Sequence, residues 1–269
     1  MTNAAAKTAT EAASATTIDL AEIITLVRDV LPQQAAVTTG GEDLGAFTPV
    51  WRWLAAAQQK NTPAIIHPRI ALFAADHSAN PASKKNVEAA LAALGSGKHR
   101  LTALAADSNA DLQVYDLTGA PEAHKPQLEN RHIEPSEAAH AVSYGLMAVQ
   151  PGIDLLVMAA LNADAETAGA KIIAALKTGS DPMQALTQNG GLDICAMLGT
   201  LAAARLAHIP VILDGAAAEA AAALMTALRV DAADHCRRAD DILQASGSIK
   251  PGISGALLLS FLKSLVKAG

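Results

Sequence analysis

Three observations predict a three-layer α/β/α domain around a mostly parallel, Rossmann-like sheet. Short apolar runs that do not alternate with polar residues are typical of strands buried on both faces of a parallel sheet. Each run is followed by a small or polar segment and then by a long alanine-rich stretch, which indicates right-handed strand–helix–strand crossovers. The 269 residues, 51% of them hydrophobic, are enough to form one large domain.

Strands and helices are predicted to alternate along the chain. A first helix is expected between Thr17 and Pro32, with Asp19 and Glu22 in its first turn, where the helix dipole favours acidic side chains. Strands are predicted at 69–74, 111–116, 154–158 and 210–213. Helices are predicted at 83–94, 136–147, 192–207 and 216–228, and the run of alanines that opens the last one indicates close packing against a neighbour. The sequence does not give the order of the strands in the sheet.

Composition and charge exclude several classes of protein. The net charge of −6 and the aromatic content of 3% argue against nucleic-acid binding. No apolar run approaches the ~20 residues of a membrane-spanning helix, so we expect no membrane association. The segment 1–17 lacks the apolar core of a secretory signal and is predicted to be a flexible tail, which favours a cytoplasmic protein.

Small and acidic residues collect where the predicted strands end. Asp76-His77-Ser78, Asn162 and Asp214-Gly215 follow three of the strands, and Gly190-Gly191 with Asp193 opens the helix at 192. Ligands of open parallel sheets bind beyond the carboxyl ends of the strands, so these residues are candidates for a site. Each also has a structural alternative, as a helix-capping carboxylate or a tight glycine turn.

Other types of site lack their sequence motifs. The chain contains no G-x-G-x-x-G after a strand, no phosphate-binding G-x-x-x-x-G-K-[ST] loop and no G-x-S-x-G serine elbow. It contains neither H-E-x-x-H nor C-x-x-C, and Cys195 and Cys236 lie far apart. We therefore expect no metal site and no cofactor.

Several segments together resemble the nicotinate-nucleotide–dimethylbenzimidazole phosphoribosyltransferase family. They are FAADH at 73–77, PGIDLLVM at 151–158, GGLDI at 190–194 and VILDG at 211–215, in the family's order. GEDLG at 41–45 stands where the family has P-P-G-S-L-G, and SGALLLSFL at 254–262 resembles its closing T-G-A helix. The resemblance runs from about Gly40 to the C-terminus.

The resemblance implies transfer of a phosphoribosyl group from nicotinate mononucleotide to dimethylbenzimidazole, in the synthesis of the lower ligand of cobalamin. It implies a homodimer without metal, with small-molecule partners (an aromatic base, a mononucleotide or both) and a small helical subdomain built from both chain ends. The predicted division is a tail at 1–17, the subdomain's N-terminal part at 18–60, the α/β domain at 61–245 and a C-terminal helix at 246–269. The residues expected to bind substrate are Leu44, Gly45, Asp76, His77, Ser78, Ala159, Ala160, Asn162, Gly190, Gly191, Asp193, Asp214, Gly215 and Ser254.

The sequence departs from the family at two places that carry the chemistry. The incoming base must lose a proton, and the family's glutamate for this step, in G-E-G-T-G-A, has no counterpart in KPGISGA at 250–256. The family's glycine-rich G-E-M-G-I-G-N-T-T loop is replaced by AALNADAET at 159–167, where Asp164 and Glu166 place negative charge at the expected position of the phosphate.

Three hypotheses therefore stay open. The first is an active phosphoribosyltransferase with Asp193 or Asp214 as the substitute base. The second is a non-catalytic relative that binds an aromatic base or nucleotide, or acts as a partner subunit. The third is an unrelated α/β enzyme whose resemblance to the family is accidental.

Overall fold

The computed structural model describes residues 19–34, 36–37, 39–77, 81–118, 132–243 and 252–269. Five parallel strands form one sheet in the order β2-β1-β3-β4-β5. The strands are β1 Pro68–Ala74, β2 Asp111–Asp116, β3 Leu155–Ala160, β4 Val211–Asp214 and β5 Cys236–Arg238. The predicted α/β fold with a parallel sheet is confirmed. The predicted tail at 1–17 lies outside the described residues.

The helices cover both faces of this sheet. They are α1 Leu20–Thr25, which continues into a π-helical turn Leu26–Val30, α2 Thr48–Ala57 after a 3-10 helix Glu42–Phe47, α3 Pro81–Gly95, α4 Arg100–Asp107, α5 Pro135–Leu146, α6 Ala163–Lys177, α7 Pro182–Asn189, α8 Leu192–Leu206, α9 Ala216–Leu228, α10 Ala239–Leu243 and α11 Ile253–Ala268. Within the described ranges, no helix is both long and apolar enough to cross a membrane.

The central strands are buried on both faces, as their unbroken apolar runs predict. Side chains of β1 alternate between two hydrophobic clusters, with Ala71 and Phe73 in one and Ile70 and Leu72 in the other. The first cluster includes residues of α1, α5, α6, α8 and α9, and the second includes residues of α2, α4, α10 and α11. Two separate cores on either side of one sheet make the three layers.

The helices of the two chain ends lie on both sides of the sheet. Helices α2 and α11 contribute to the same cluster, whereas Ile23 of α1 and Val27 of the π-helical turn pack in the cluster on the other face. Helix α1 begins with a capping box in which Asp19, the N-cap, accepts from the Glu22 amide while the Glu22 carboxylate accepts from the Asp19 amide. The predicted domain boundaries stay a prediction.

The structure differs from the sequence-based elements around residue 160. Strand β3 extends through Ala160 because its last residues still pair with β1 and β4, Ala160 with Phe73 and Ala159 with Asp214. Helix α6 begins three residues later. The stretch that stands in place of the family's phosphate loop is therefore mostly a strand end and the first turn of a helix.

Helices α5 and α8 pack so closely that glycine is required at their contact. A Cβ atom on Gly145 would lie 1.8 Å from the Ala196 carbonyl oxygen, and one on Gly199 would lie 2.0 Å from that of Val142. The Thr200 hydroxyl in the same contact donates to the Gly145 carbonyl at 2.9 Å. This contact fixes the position of α8, which carries Asp193 in its first turn.

The substitution Gly145→Ala is expected to lower the free energy of unfolding by about 2 kcal/mol or more, because the added methyl meets backbone that must shift. Chemical denaturation of both proteins measures the difference. The matched control is Gly95→Ala at the end of α3, where a Cβ atom would meet nothing within 4 Å. Equal stability of Gly145→Ala and the wild type would contradict the close contact.

Candidate functional site

Four of the predicted segments meet at the carboxyl edge of the sheet, which we call the rim. It comprises 75–77 after β1, 161–166 after β3, 214–216 after β4, and the start of α8 at 191–193. Hydrogen bonds join them: the Asn162 amide donates to the Ala75 carbonyl at 2.8 Å, and His77 contacts Asp193. The predicted clustering of small and acidic residues is present in the structure.

His77 and Asp193 form a buried pair at the rim. The Nε2 atom of His77 lies 2.8 Å from each carboxylate oxygen of Asp193, and the Ile194 amide donates to one of these oxygens at 2.8 Å. The side chain of Asp193 is 0% exposed and that of His77 only 5%. A Cβ atom on Gly191 would lie 2.1 Å from the His77 ring, so glycine at this position makes room for the imidazole.

Burial alone would lower the pKa of His77. The Asp193 carboxylate outweighs it through its charge and its hydrogen bond, and Asp164 and Asp76 add to the effect, so that the pKa is raised above its ordinary value. Because Nε2 faces a carboxylate, it carries the proton in the neutral ring, and Nδ1 is then the basic nitrogen.

The turn between β3 and α6 is held by its own polar side chains. Asn162 is the N-cap of α6, and its side-chain oxygen accepts from the Ala165 amide at 2.7 Å. The Ser83 hydroxyl of α3 donates to Asp164, which lies in the first turn of α6. Ala159 and Ala160 are buried within β3.

The carboxylate of Glu166 lies at the N-terminus of α9. Its Oε2 atom accepts from the Ala216 amide at 2.5 Å. A Cβ atom on Gly215 would lie 2.6 Å from Oε2, and Gly215 has φ of 102°, so two separate constraints require glycine there. Burial, with smaller contributions from the charges of Asp214 and Glu219, raises the pKa of Glu166 to about 7, although the backbone amides at the start of α9 lower it.

Asp214 connects the end of β4 to the start of α11. Its Oδ2 atom accepts from the Gly255 amide at 2.6 Å, and the residue is 4% exposed. Burial raises the pKa of Asp214 to about 6, although the amides of Gly255 and Gly252 lower it. Ser254, in the same helix start, is buried.

The remaining predicted site residues have fewer contacts with the rim. Leu44 packs against the cluster that contains α11, and Gly45 is exposed with φ of 54°. Gly190 follows α7 and precedes Gly191, and a Cβ atom there would meet the Leu186 carbonyl. Burial raises the pKa of Asp76, opposed by Lys84. Ser78 lies outside the described residues. In the described ranges, no cluster of three or more His, Cys, Asp or Glu side chains could hold a metal ion.

A family model described as Phosphoribosyltransferase matches residues 25–180 and 166–246, which together cover most of the chain. The chain belongs to the nicotinate-nucleotide–dimethylbenzimidazole phosphoribosyltransferase family. The resemblance stated from the sequence is thereby confirmed.

Relatives and solved structures of this family align over most of the chain. Nicotinate-nucleotide–dimethylbenzimidazole phosphoribosyltransferases from Brucella anthropi and Methylocella silvestris are each 28% identical, over 78% and 76% of this chain and 73% and 71% of their own lengths. Among solved structures, the enzyme of this name from Thermus thermophilus has a TM-score of 0.69 at 19% identity, covering 93% of this chain and 96% of that one. A second structure from that organism, named CobT, has a TM-score of 0.68 at 18% identity, covering 91% and 95%. At these identities the structures show the shared fold.

Sequence reasoning placed Glu166 near the rim but missed what it contacts. It treated the residue as a charge in a loop, whereas the side chain reaches from α6 to the first amide of α9. It also treated Asp193 and His77 as separate candidates. The signal was present in the second case, since one residue follows a parallel strand and the other opens a helix at the same edge.

The variant Asp214→Asn is expected to change how stability depends on pH. A carboxyl whose folded pKa is raised, from 3.8 to about 6, holds its proton more tightly when folded, so its contribution is fully present at low pH and is lost as the pH rises through this window. This contribution to the free energy of unfolding amounts to about 3 kcal/mol. Asp214→Asn removes it, and urea unfolding from about pH 3.5 to 7 would measure the difference. Asp107→Asn, at an exposed position of α4, is the control. A pH profile of Asp214→Asn that parallels the wild type would show that burial of Asp214 has no such effect.

Proposed function

We propose that the protein is a pentosyltransferase that joins an aromatic nitrogen base of the benzimidazole type to the sugar of a nicotinate-linked donor. Membership of the phosphoribosyltransferase family supports the reaction class. The observation that carries the assignment is the 2.8 Å contact of His77 with Asp193 at the rim. In our assignment His77 accepts the proton, and Asp193 is its positioning residue.

The reaction needs a proton acceptor and a stabilised sugar cation. As the nicotinate leaves, the C1′–N bond breaks and C1′ becomes oxocarbenium-like, while a nitrogen of the incoming base forms the new bond and its ring loses a proton. His77 Nδ1 accepts this proton because Nε2–H is held by Asp193, whose charge stabilises the imidazolium that forms. The carboxylates of Asp76 and Asp164, close enough to raise the pKa of His77, also favour positive charge on the sugar.

This assignment differs from the two carboxylate candidates chosen on sequence grounds. Asp193 is fully buried against His77 and an amide, and Asp214 is bound to the start of α11. Both carboxylates support other groups, so neither is well placed to contact a base directly. The homodimer and the cytoplasmic location stay predictions.

One observation favours the second candidate function, a non-catalytic relative that binds an aromatic base. The starts of α6, α8, α9 and α11 carry bonds from their amides to the chain's own side chains, namely Asn162, Asp193, Glu166 and Asp214. Helix N-termini are the usual place to bind a phosphate, and here they are engaged internally. Such a protein would bind the base and not turn over.

Substitution of the proposed proton acceptor separates the two functions. With dimethylbenzimidazole and a nicotinate-linked donor, His77→Gln is expected to lower kcat by about 100-fold or more while KM changes little, because general-base catalysis contributes on that scale. Release of nicotinate measures the rate. His67→Gln, an exposed histidine just before β1 at the opposite edge of the sheet, is the control. No turnover in the wild type, with retained base binding, would favour the non-catalytic function.

Substitution of Asp193 tests its positioning role by a pH profile. The carboxylate raises the pKa of His77, so Asp193→Asn is expected to move the acidic limb of kcat/KM to lower pH, besides lowering its maximum. Titration of the His77 ring by NMR would follow the same pKa directly. A lower maximum with an unmoved limb would indicate that Asp193 serves the fold alone.

A further inference from the structure

Glu166 occupies a part of the rim that is suited to an anion. Helix α9 is 13 residues long and begins directly at the end of β4, so its first amides point towards the rim without helical partners. These amides and the helix dipole would attract a phosphate. Instead, the Glu166 carboxylate from α6 accepts from the first of them, that of Ala216, at 2.5 Å.

The carboxylate itself occupies the position at the first amide of α9. It lies against the backbone of Gly215, where even a Cβ atom would come within 2.6 Å of Oε2 and 2.7 Å of Oε1. Asp214 and Glu219 add further negative charge around it, as their effect on its pKa shows. A phosphate at the start of α9 would have to displace a bound carboxylate and approach two others.

The second carboxylate oxygen of Glu166, Oε1, differs from Oε2 in its hydrogen bonding. Oε1 is buried and has no hydrogen-bond partner, although a buried acceptor without a partner is unfavourable. A hydroxyl group of a ligand would satisfy this oxygen without adding charge. The same carboxylate that disfavours a phosphate is therefore suited to a neutral sugar hydroxyl.

We infer that Glu166 is a specificity-determining residue that excludes a phosphate from the start of α9, so that the site selects a donor with a free sugar hydroxyl there, a nicotinate riboside, over the corresponding mononucleotide. The inference rests on the proposed function, because it assumes that the rim binds the sugar of a donor. It names the substrate class of that site and the residue that sets it.

Titration calorimetry at about pH 8 with nicotinate riboside and nicotinate mononucleotide tests this inference, since the two ligands differ by the phosphate alone. The wild type is expected to bind the riboside at least about tenfold more tightly. Glu166→Gln has the same shape and no charge, and it is expected to reduce this ratio by at least about tenfold. Glu219→Gln is the matched comparison, because Glu219 lies in the first turn of the same helix but binds Arg238 at 2.9 Å, and it should change the ratio much less than Glu166→Gln does.

Three results would overturn the inference. They are tighter binding of the mononucleotide by the wild type, an unchanged ratio in a folded Glu166→Gln, and an equal change of the ratio in Glu219→Gln. The ratio of riboside to mononucleotide affinity in the wild type tests the inference even if Glu166→Gln does not fold. Dimethylbenzimidazole binding, measured in the same series, tests the proposed function separately: if the base binds and neither donor does, this inference fails and base binding stands.

Discussion

The structure depends on one constraint of a parallel sheet, which concerns the amides at the start of the helices that follow its strands. Every crossover brings a helix N-terminus, with its unpaired amides, to the same edge of the sheet, and buried amides need acceptors. In this chain Glu166 and Asp214 supply acceptors for α9 and α11, and Asn162 does so for α6. The rim is therefore held together by the same groups that would otherwise be available to a ligand.

Glycines make these contacts possible, because each polar side chain lies against backbone that carries no Cβ atom. Gly191 makes room for the His77 ring, Gly215 for the Glu166 carboxylate and Gly255 for the approach of α11 to Asp214. Gly191 and Gly215, which are predicted to bind substrate, have this structural use as well. They allow one internal side chain to reach the start of the next element.

The fold could be predicted from the sequence where burial decides the pattern. Strands β1 and β3 lie in the middle of the sheet, so both faces are apolar and the runs are unbroken. Strand β5 could not be predicted in this way, since two of its three residues are arginines, exposed at the edge of the sheet. Its pairing with β4 comes from tertiary contacts that no local pattern records.

The position of the site could be predicted from the sequence, but the hydrogen bonds within it could not. The rule for carboxyl ends of parallel strands brings His77 and Asp193 to one edge. Which pairs form depends on distances between residues that are 116 positions apart for His77 and Asp193, and 50 apart for Glu166 and Ala216. Sequence alone shows carboxylates at a rim, whereas the geometry decides whether each one faces a ligand, a histidine or a helix start.

The packing at the start of α11 limits which side chains this segment can carry. A side chain at Gly255 would meet Val157 at 2.3 Å and the carboxylate of Asp214 at 3.2 Å, and Gly252 has φ of 87° with Leu101 and Leu72 close by. Substitution to glutamate at either position would strain the start of α11 where it contacts β4. Under the proposed function, the proton acceptor therefore comes from another part of the rim. Among the described rim residues, His77 is the one whose ring lies against a carboxylate that can stabilise its charged form, that of Asp193.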